Sequence, residues 1–431
     1  MKRFCITIFT TFFSVFLFAQ ASEPVTHKAA LVLFEKYYNQ GKPDSIFKYF
    51  SAKMKAALPS EKFNATTNQL KSQIGNLVST EFSKYNESLA VYKATFEKGT
   101  FLLNLSLNSN NQFTGLLLSP YQNAGSTGAI NDPSITESPV VLKTLTGLLS
   151  GTLAMPNTVS GKVPVVLIIA GSGPIDRNGN STKLGLTTNT YKEIAEVLGK
   201  NGIASLRYDK RMVGESGGPA KEDDLRFDDY TDDAIGFIKM LKADERFSKV
   251  IVLGHSEGSL VGILACGSTE DNVSGFISAA GAGESAEKIL IEQMKSYPTL
   301  LSDGFNRILD SLRMGKVQKK VDPQLYFIIR PSIQMYVMTW CRFDPQKEIK
   351  KLKMPVLIVQ GTSDLQVSVA QAEKLKKGRS GATLTIIPGM NHILKDSPDD
   401  KQQNLATYTK PDLPLKPEFV NSMLNFIKGL K

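Results

Sequence analysis

Five residues constrain this chain more than any other feature. Lys249 to Leu253, with three β-branched apolar residues between its ends, reads as a strand, Gly254-His255-Ser256-Glu257-Gly258 follows, and an apolar helix from Leu260 to Ala265 comes next. The pattern G-x-S-x-G alone says little. Between a strand and a helix it describes a sharp turn whose strained backbone presses the positions two before and two after the serine against neighbouring elements, so both must be small. Such a turn thrusts the Ser256 hydroxyl out of the sheet edge and aims the unpaired N–H groups of the helix N-terminus at the same spot. The competing explanation is a glycine-rich turn of purely structural use; strand, spacing and helix together argue against it.

A serine hydroxyl is a poor nucleophile near neutral pH and needs a base within reach and an acid to orient that base. Histidine is scarce, with 3 in the whole chain: His27, His255 and His392. His27 lies far upstream. His255 adjoins Ser256, and neighbouring side chains on such a turn diverge, so it is expected to pack beneath the site. That leaves His392, in Pro388-Gly389-Met390-Asn391-His392, just past the last predicted strand. For the acid, Asp364 follows the predicted strand Pro355 to Gln360, and one helix and one strand separate it from His392. Glu284, after the predicted strand Val273 to Ala279, is the rival.

Acyl transfer also needs backbone N–H donors for the oxyanion of its tetrahedral intermediate. Glu257, the residue after the serine, supplies one. The second is expected from the loop Gly171-Ser172-Gly173-Pro174-Ile175-Asp176-Arg177-Asn178-Gly179-Asn180, where small residues let main chain approach a substrate. Ser172 is the choice and Gly173 the near alternative. A glycine-rich loop can hold phosphate, but neither G-x-x-x-x-G-K-S/T nor G-x-G-x-x-G occurs, so no nucleotide site is expected. This chemistry calls for no metal and no cofactor.

From Ile135 onward, strands alternate with helices. Strands are expected near Val140 and Leu153, then over Val163 to Ala170, Ile203 to Tyr208, Lys249 to Leu253, Val273 to Ala279, Pro355 to Gln360 and Thr383 to Ile387. Intervening helices such as Tyr191 to Lys200 and Asp228 to Leu241 imply a mainly parallel, eight-stranded sheet with right-handed crossovers, an α/β architecture. The stretch 284–343 offers no convincing strand and is too long for an ordinary connection, so it is expected to be a helical cap insertion. Residues 22–122 differ. Val25 to Gln40 carries Leu31, Phe34 and Tyr38 at helical spacing, Asp44 and Ser60 are candidate N-caps, and the runs Leu89 to Phe96, Phe101 to Leu107 and Phe113 to Leu118 read as antiparallel hairpins. This is a small α+β domain, and 123–135, rich in Gly, Ser and Asn, is the linker to the domain 136–431.

The first 21 residues read as a secretory signal peptide: Met1-Lys2-Arg3, an apolar stretch from Phe4 to Phe18, then Ala19-Gln20-Ala21. The stretch is shorter than the roughly 20 residues of a bilayer span, so cleavage is expected rather than a membrane anchor, and the product is expected to be secreted or periplasmic. Cys266 and Cys341 then remain, enough for one bridge or two free thiols. Without Lys2 and Arg3 the formal charge falls from +10 to +8, thinly spread, and no stretch interleaves basic and aromatic residues, so nucleic acid is not an expected partner.

Taken together, Gly171-Ser172-Gly173-Pro174-x-Asp176-Arg177-x-Gly179-Asn180, Arg207-Tyr208-Asp209-Lys210-Arg211 and Gly254-His255-Ser256-Glu257-Gly258 resemble the α/β-hydrolase superfamily. More narrowly, they resemble bacterial exported carboxylesterases, some of which carry a small N-terminal domain similar to Leu33 to Pro120. The resemblance covers Thr136 to the C-terminus. It implies Ser256, Asp364 and His392 as a triad, hydrolysis of a small-molecule ester as the activity, and the α/β-hydrolase fold. Met212 departs from it, standing where relatives have glycine. Arg207, Asp209 and Arg211 are expected to form a structural ion-pair cluster beneath the site.

Overall fold

A computed structural model describes residues 23–86, 89–120, 129–157, 159–269, 272–295 and 297–430. The expected signal peptide, 1–21, lies outside the described residues. The chain divides into two compact units, Met1–Ala124 and Gly125–Lys431.

The first unit places the helices Val25–Asn39, Pro43–Phe47, Ala52–Ala57 and Ser60–Ile74 before four strands. These are β1 (Leu77–Asn86), β2 (Leu89–Phe96), β3 (Gly99–Leu107) and β4 (Phe113–Pro120), an antiparallel meander in sequence order. Phe34 and Tyr38, one turn apart, bury one face of the first helix with Phe50, Tyr92, Phe96, Leu103 and Phe113. Asp44 and Ser60 are not the N-caps. Asp44 is the second residue of its helix and Ser60 the first of its own, and the caps are Lys42, followed by Pro43, and Pro59. Proline fixes φ at a helical value, so Pro43 starts its helix two residues ahead of the start that an Asp44 cap would give. Pro59 accepts the Phe63 N–H at 3.0 Å. His27 is buried against the Tyr85 ring, 5.1 Å between centroids.

The second unit is built on β5 (Ile135–Thr144), β6 (Gly147–Pro156), β7 (Val163–Ile169), β8 (Ala204–Tyr208), β9 (Phe247–His255), β10 (Gly275–Ala279), β11 (Val356–Gly361) and β12 (Thr383–Ile387). They form one sheet in the order β5-β6-β8-β7-β9-β10-β11-β12. The pairs β5–β6 and β6–β8 are antiparallel, and every other pair is parallel. Helices cover both faces. Along β9, Val250 and Val252 enter one core with Phe237, Ile263 and Phe276, while Ile251 and Leu253 enter the other with Ile194, Leu198, Phe419 and Met423. That two-residue alternation between two covered faces is why β8, β10 and β11 are buried along their whole length. The fold is the α/β-hydrolase fold preceded by a small α+β domain.

Between β10 and β11 the chain makes the helices Ala286–Met294, Thr299–Arg313, Tyr326–Ile329 and Gln334–Trp340. They bury Phe305, Leu309, Leu325, Ile329 and Val337 in a core of their own. Trp340 stacks on Phe227 of the helix Phe227–Ala243, with 5.8 Å between centroids and 7° between planes. Glu222 takes hydrogen bonds from Arg330 and Ser332. No described helix is long and apolar enough to cross a membrane. Cys266 and Cys341 are both free, and burial pushes the Cys341 thiol up to about 11.

Candidate active site

β9 ends at His255 and the helix Glu257–Ser268 begins two residues later, leaving Ser256 alone to turn the chain. Ser256 adopts φ 55 and ψ −120, a combination costing a non-glycine residue of order 1–3 kcal/mol. The flanking glycines are obligatory on steric grounds. A Cβ on Gly254 would lie 2.2 Å from the Gly258 carbonyl oxygen, and one on Gly258 would lie 2.4 Å from the carbonyl oxygen of Ile169 at the end of β7.

The loops after β11 and β12 carry the other two predicted residues to this turn. His392 Nε2 is 3.0 Å from Ser256 Oγ, and His392 Nδ1 is 2.8 Å from Asp364 Oδ2. The Asp364 side chain is fully buried and saturated: Oδ2 also accepts Gln360 Nε2 at 2.9 Å, and Oδ1 accepts the Gln366 and Val367 N–H groups at 2.8 and 2.9 Å. Burial alone would raise this carboxyl. The His392 imidazole and the donors outweigh it and hold Asp364 below the ordinary carboxylate range. Glu284, the rival acid, bonds Lys374, Gln371 and Lys288 instead. The Lys374 ammonium draws its carboxyl down to about 2.

His255 packs beneath the site as expected, and the structure adds what it does there. Its Nε2 lies 2.7 Å from the His392 carbonyl oxygen, which can only accept, so Nε2 carries the proton. Nδ1, 2.8 Å from Tyr191 Oη, then accepts the phenol proton, and Tyr191 Oη accepts the Gly171 N–H at 2.9 Å. A single chain of hydrogen bonds thus joins the loop after β7 to the loop bearing His392. Burial, helped by the His392 imidazole, pushes His255 down to about 3. Its folded form stays neutral while an unfolded chain takes up a proton near 6.5, so stability falls as pH drops from about 6.5 towards 3. We expect this residue alone to remove about 2 kcal/mol of stability between pH 7 and pH 5. Urea melts at the two pH values should show His255→Gln losing that much less than wild type; equal losses would rule the account out.

Of the proposed oxyanion donors, Glu257 is the first residue of its helix, so its N–H has no partner within the helix. Ser172 is exposed on the loop after β7, next to Gly171, where a Cβ would stand 3.2 Å from Ser256 Cβ. Asp176 folds the loop back by accepting the Asn178 and Asn180 N–H groups at 2.8 and 2.9 Å.

Arg207, Asp209 and Arg211 do not form one cluster. Arg207 pairs with Glu137 at 2.6 Å, Asp209 with Arg177 at 2.6 Å, and Arg211 with Asp233 at 2.6 Å, because each partner arrives from a different, distant segment. Met212 has φ 62, so the turn keeps the left-handed conformation that glycine favours, at a cost of about 1–2 kcal/mol. Four contributors escape a reading of local sequence: Tyr191, Gln360, Tyr336 and Lys210. Only Lys210, in the polar run after β8, left any signal.

Residues 183–398, just over half of the chain and spanning the serine, aspartate and histidine, match the family described as serine aminopeptidase, S33 (Hydrolase_4). The chain belongs to this hydrolase family. Residues 33–116 match a family of unknown function, DUF3887. This hydrolase is similar to Esterase EstD of Thermotoga maritima, 26% identical over 406 residues that cover 89% of this chain and 92% of that protein. It is also similar to 2-(acetamidomethylene)succinate hydrolase of Mesorhizobium japonicum, 24% identical over 210 residues, covering 45% of this chain and 73% of that one. Among solved structures, Est1E of Butyrivibrio proteoclasticus with ferulic acid bound aligns with TM-score 0.47 and 21% identity, covering 67% of this chain and 99% of its own.

Proposed function

We propose that this chain is an exported serine carboxylesterase, and one observation carries the reading: the unbroken contact Ser256–His392–Asp364, 3.0 and 2.8 Å long, on a strained strand-to-helix turn. Ser256 Oγ attacks the ester carbonyl carbon as its proton passes to His392 Nε2. The carbonyl oxygen becomes an oxyanion facing the amides of Ser172 and Glu257. The intermediate collapses, the carbon–oxygen bond to the alcohol breaks, and His392 returns the proton to the departing alkoxide. Water, deprotonated by the same nitrogen, then releases the acid and restores Ser256. Asp364, held as an anion, fixes the imidazole tautomer that makes Nε2 the acceptor.

Ester cleavage is favoured by the likeness to Esterase EstD, which spans both units. A second reading, peptide or amide cleavage, is favoured by the description of the family as serine aminopeptidases. The two are separated by matched p-nitrophenyl ester and p-nitroanilide substrates. Esterase action predicts far faster ester turnover, whereas faster anilide turnover, judged against the uncatalysed rates, selects the peptidase. A fluorophosphonate is expected to form one adduct, on Ser256; no adduct would leave a catalytically silent binding protein. Export rests on residues 1–21, and N-terminal sequencing of the mature protein, expected to begin at Ser22, tests it.

A further inference from the structure

We propose that Lys210 is the positioning residue of the oxyanion hole: its ammonium ties the peptide unit that carries one N–H donor to the side chain of the residue whose amide is the other. The inference rests on the hydrolase reading above. Lys210 lies two residues beyond β8 and is buried, 5% exposed. Its Nζ donates to the Gly171 carbonyl oxygen at 3.0 Å and to Glu257 Oε1 at 2.9 Å, and stands 4.3 Å from the centroid of the Tyr230 ring. No described peptide bond is cis, so the Gly171 carbonyl and the Ser172 N–H lie in one plane and point in opposite directions within it. Anchoring the oxygen on the Lys210 side therefore turns the Ser172 N–H to the other side.

The loop needs such an anchor. Ser172 and Gly173 are exposed, Gly173 has φ 84, and glycine offers little resistance to rotation of the planes beside it. Gly171 is gripped twice: its N–H by Tyr191 Oη and its carbonyl by Lys210. Lys210 is itself fixed, because the Glu257 carboxylate has its second oxygen engaged by Tyr336 Oη from the helix Gln334–Trp340. A buried ion pair gives little net stability compared with apolar side chains of similar volume, so the direction it imposes on Gly171 is what the pair contributes. The Ser172 and Glu257 donors are thus set at one mutual spacing by one cation.

Lys210→Met keeps the aliphatic stem and removes the ammonium. On p-nitrophenyl butyrate, kcat is expected to fall roughly 100-fold with KM changed by less than about threefold. The affinity of an alkyl boronic acid, whose adduct with Ser256 mimics the tetrahedral intermediate, is expected to fall by the same factor as kcat. Because this variant strands the buried Glu257 carboxylate, Lys210→Met/Glu257→Leu, which removes both charges, is measured beside it and is expected to show the same split. Wild-type kcat in either folded variant overturns the proposal. So does a loss confined to KM or to melting temperature with boronate affinity unchanged. Fluorophosphonate labelling of the wild type keeps the two readings apart: without an adduct the hydrolase reading itself fails, and with one, unchanged kcat in the variants removes only the role of Lys210.

Discussion

Replacing Ser256 by alanine is expected to lower kcat for ester hydrolysis by roughly 10⁴- to 10⁶-fold while leaving the protein folded. On the proposed reading the hydroxyl oxygen is the atom that becomes acylated, and without it only water acts in the site. His392 and Asp364 stay in contact, because their 2.8 Å hydrogen bond does not depend on the serine. Alanine keeps a Cβ, so the backbone strain at φ 55 persists and the melting temperature should change little. Kinetics normalised to folded protein concentration, with a melting curve on the same sample, make the measurement. A variant retaining a tenth of wild-type kcat would place the nucleophile elsewhere.

Gly258→Ala should be as damaging to the fold as Ser256→Ala is to the chemistry. The new Cβ would stand 2.4 Å from the Ile169 carbonyl oxygen and 2.6 Å from that of Ala170, both backbone atoms at the end of a central strand. Neither can move without parting β7 from the helix Glu257–Ser268, so a loss of about 4 kcal/mol or more, or failure to accumulate as soluble protein, is expected. Gly267 in the same helix is the control. There the nearest atom, Leu352 Cδ2, is 3.9 Å from the added carbon, and the ordinary helical preference for alanine should give a gain of roughly 0.5–1 kcal/mol. Denaturant melts of both variants test the pair. A soluble Gly258→Ala variant within about 1 kcal/mol of wild type would mean that the elbow is not as tightly closed as described.

Much of the site could be read from the sequence because its chemistry narrows the candidates. With three histidines in the chain, a serine in need of a base selects His392, and the strand ends select Asp364 and Glu284 as acids. Period-two burial and glycine punctuation likewise yield the sheet. The supporting residues could not be read in this way. Tyr191 reaches His255 from 64 positions away, and Tyr336 reaches Glu257 from 79, so tertiary packing alone brings them together. Closeness in sequence misleads at Arg207, Asp209 and Arg211, whose partners Glu137, Arg177 and Asp233 lie on other segments. At Pro43 a competing local rule shifts the helix start by two residues.

The order of β9, β11 and β12 across the sheet has a consequence during synthesis. His392 leaves the ribosome 136 residues after Ser256, an interval of roughly 7 to 30 s at ordinary elongation rates. On the proposed reading, the nascent chain holds its nucleophile throughout that interval without its base. On that reading, reactivity is switched on by the docking of the last two strands, and acylation of Ser256 by a reactive ester would report, molecule by molecule, that translation and sheet assembly have both been completed.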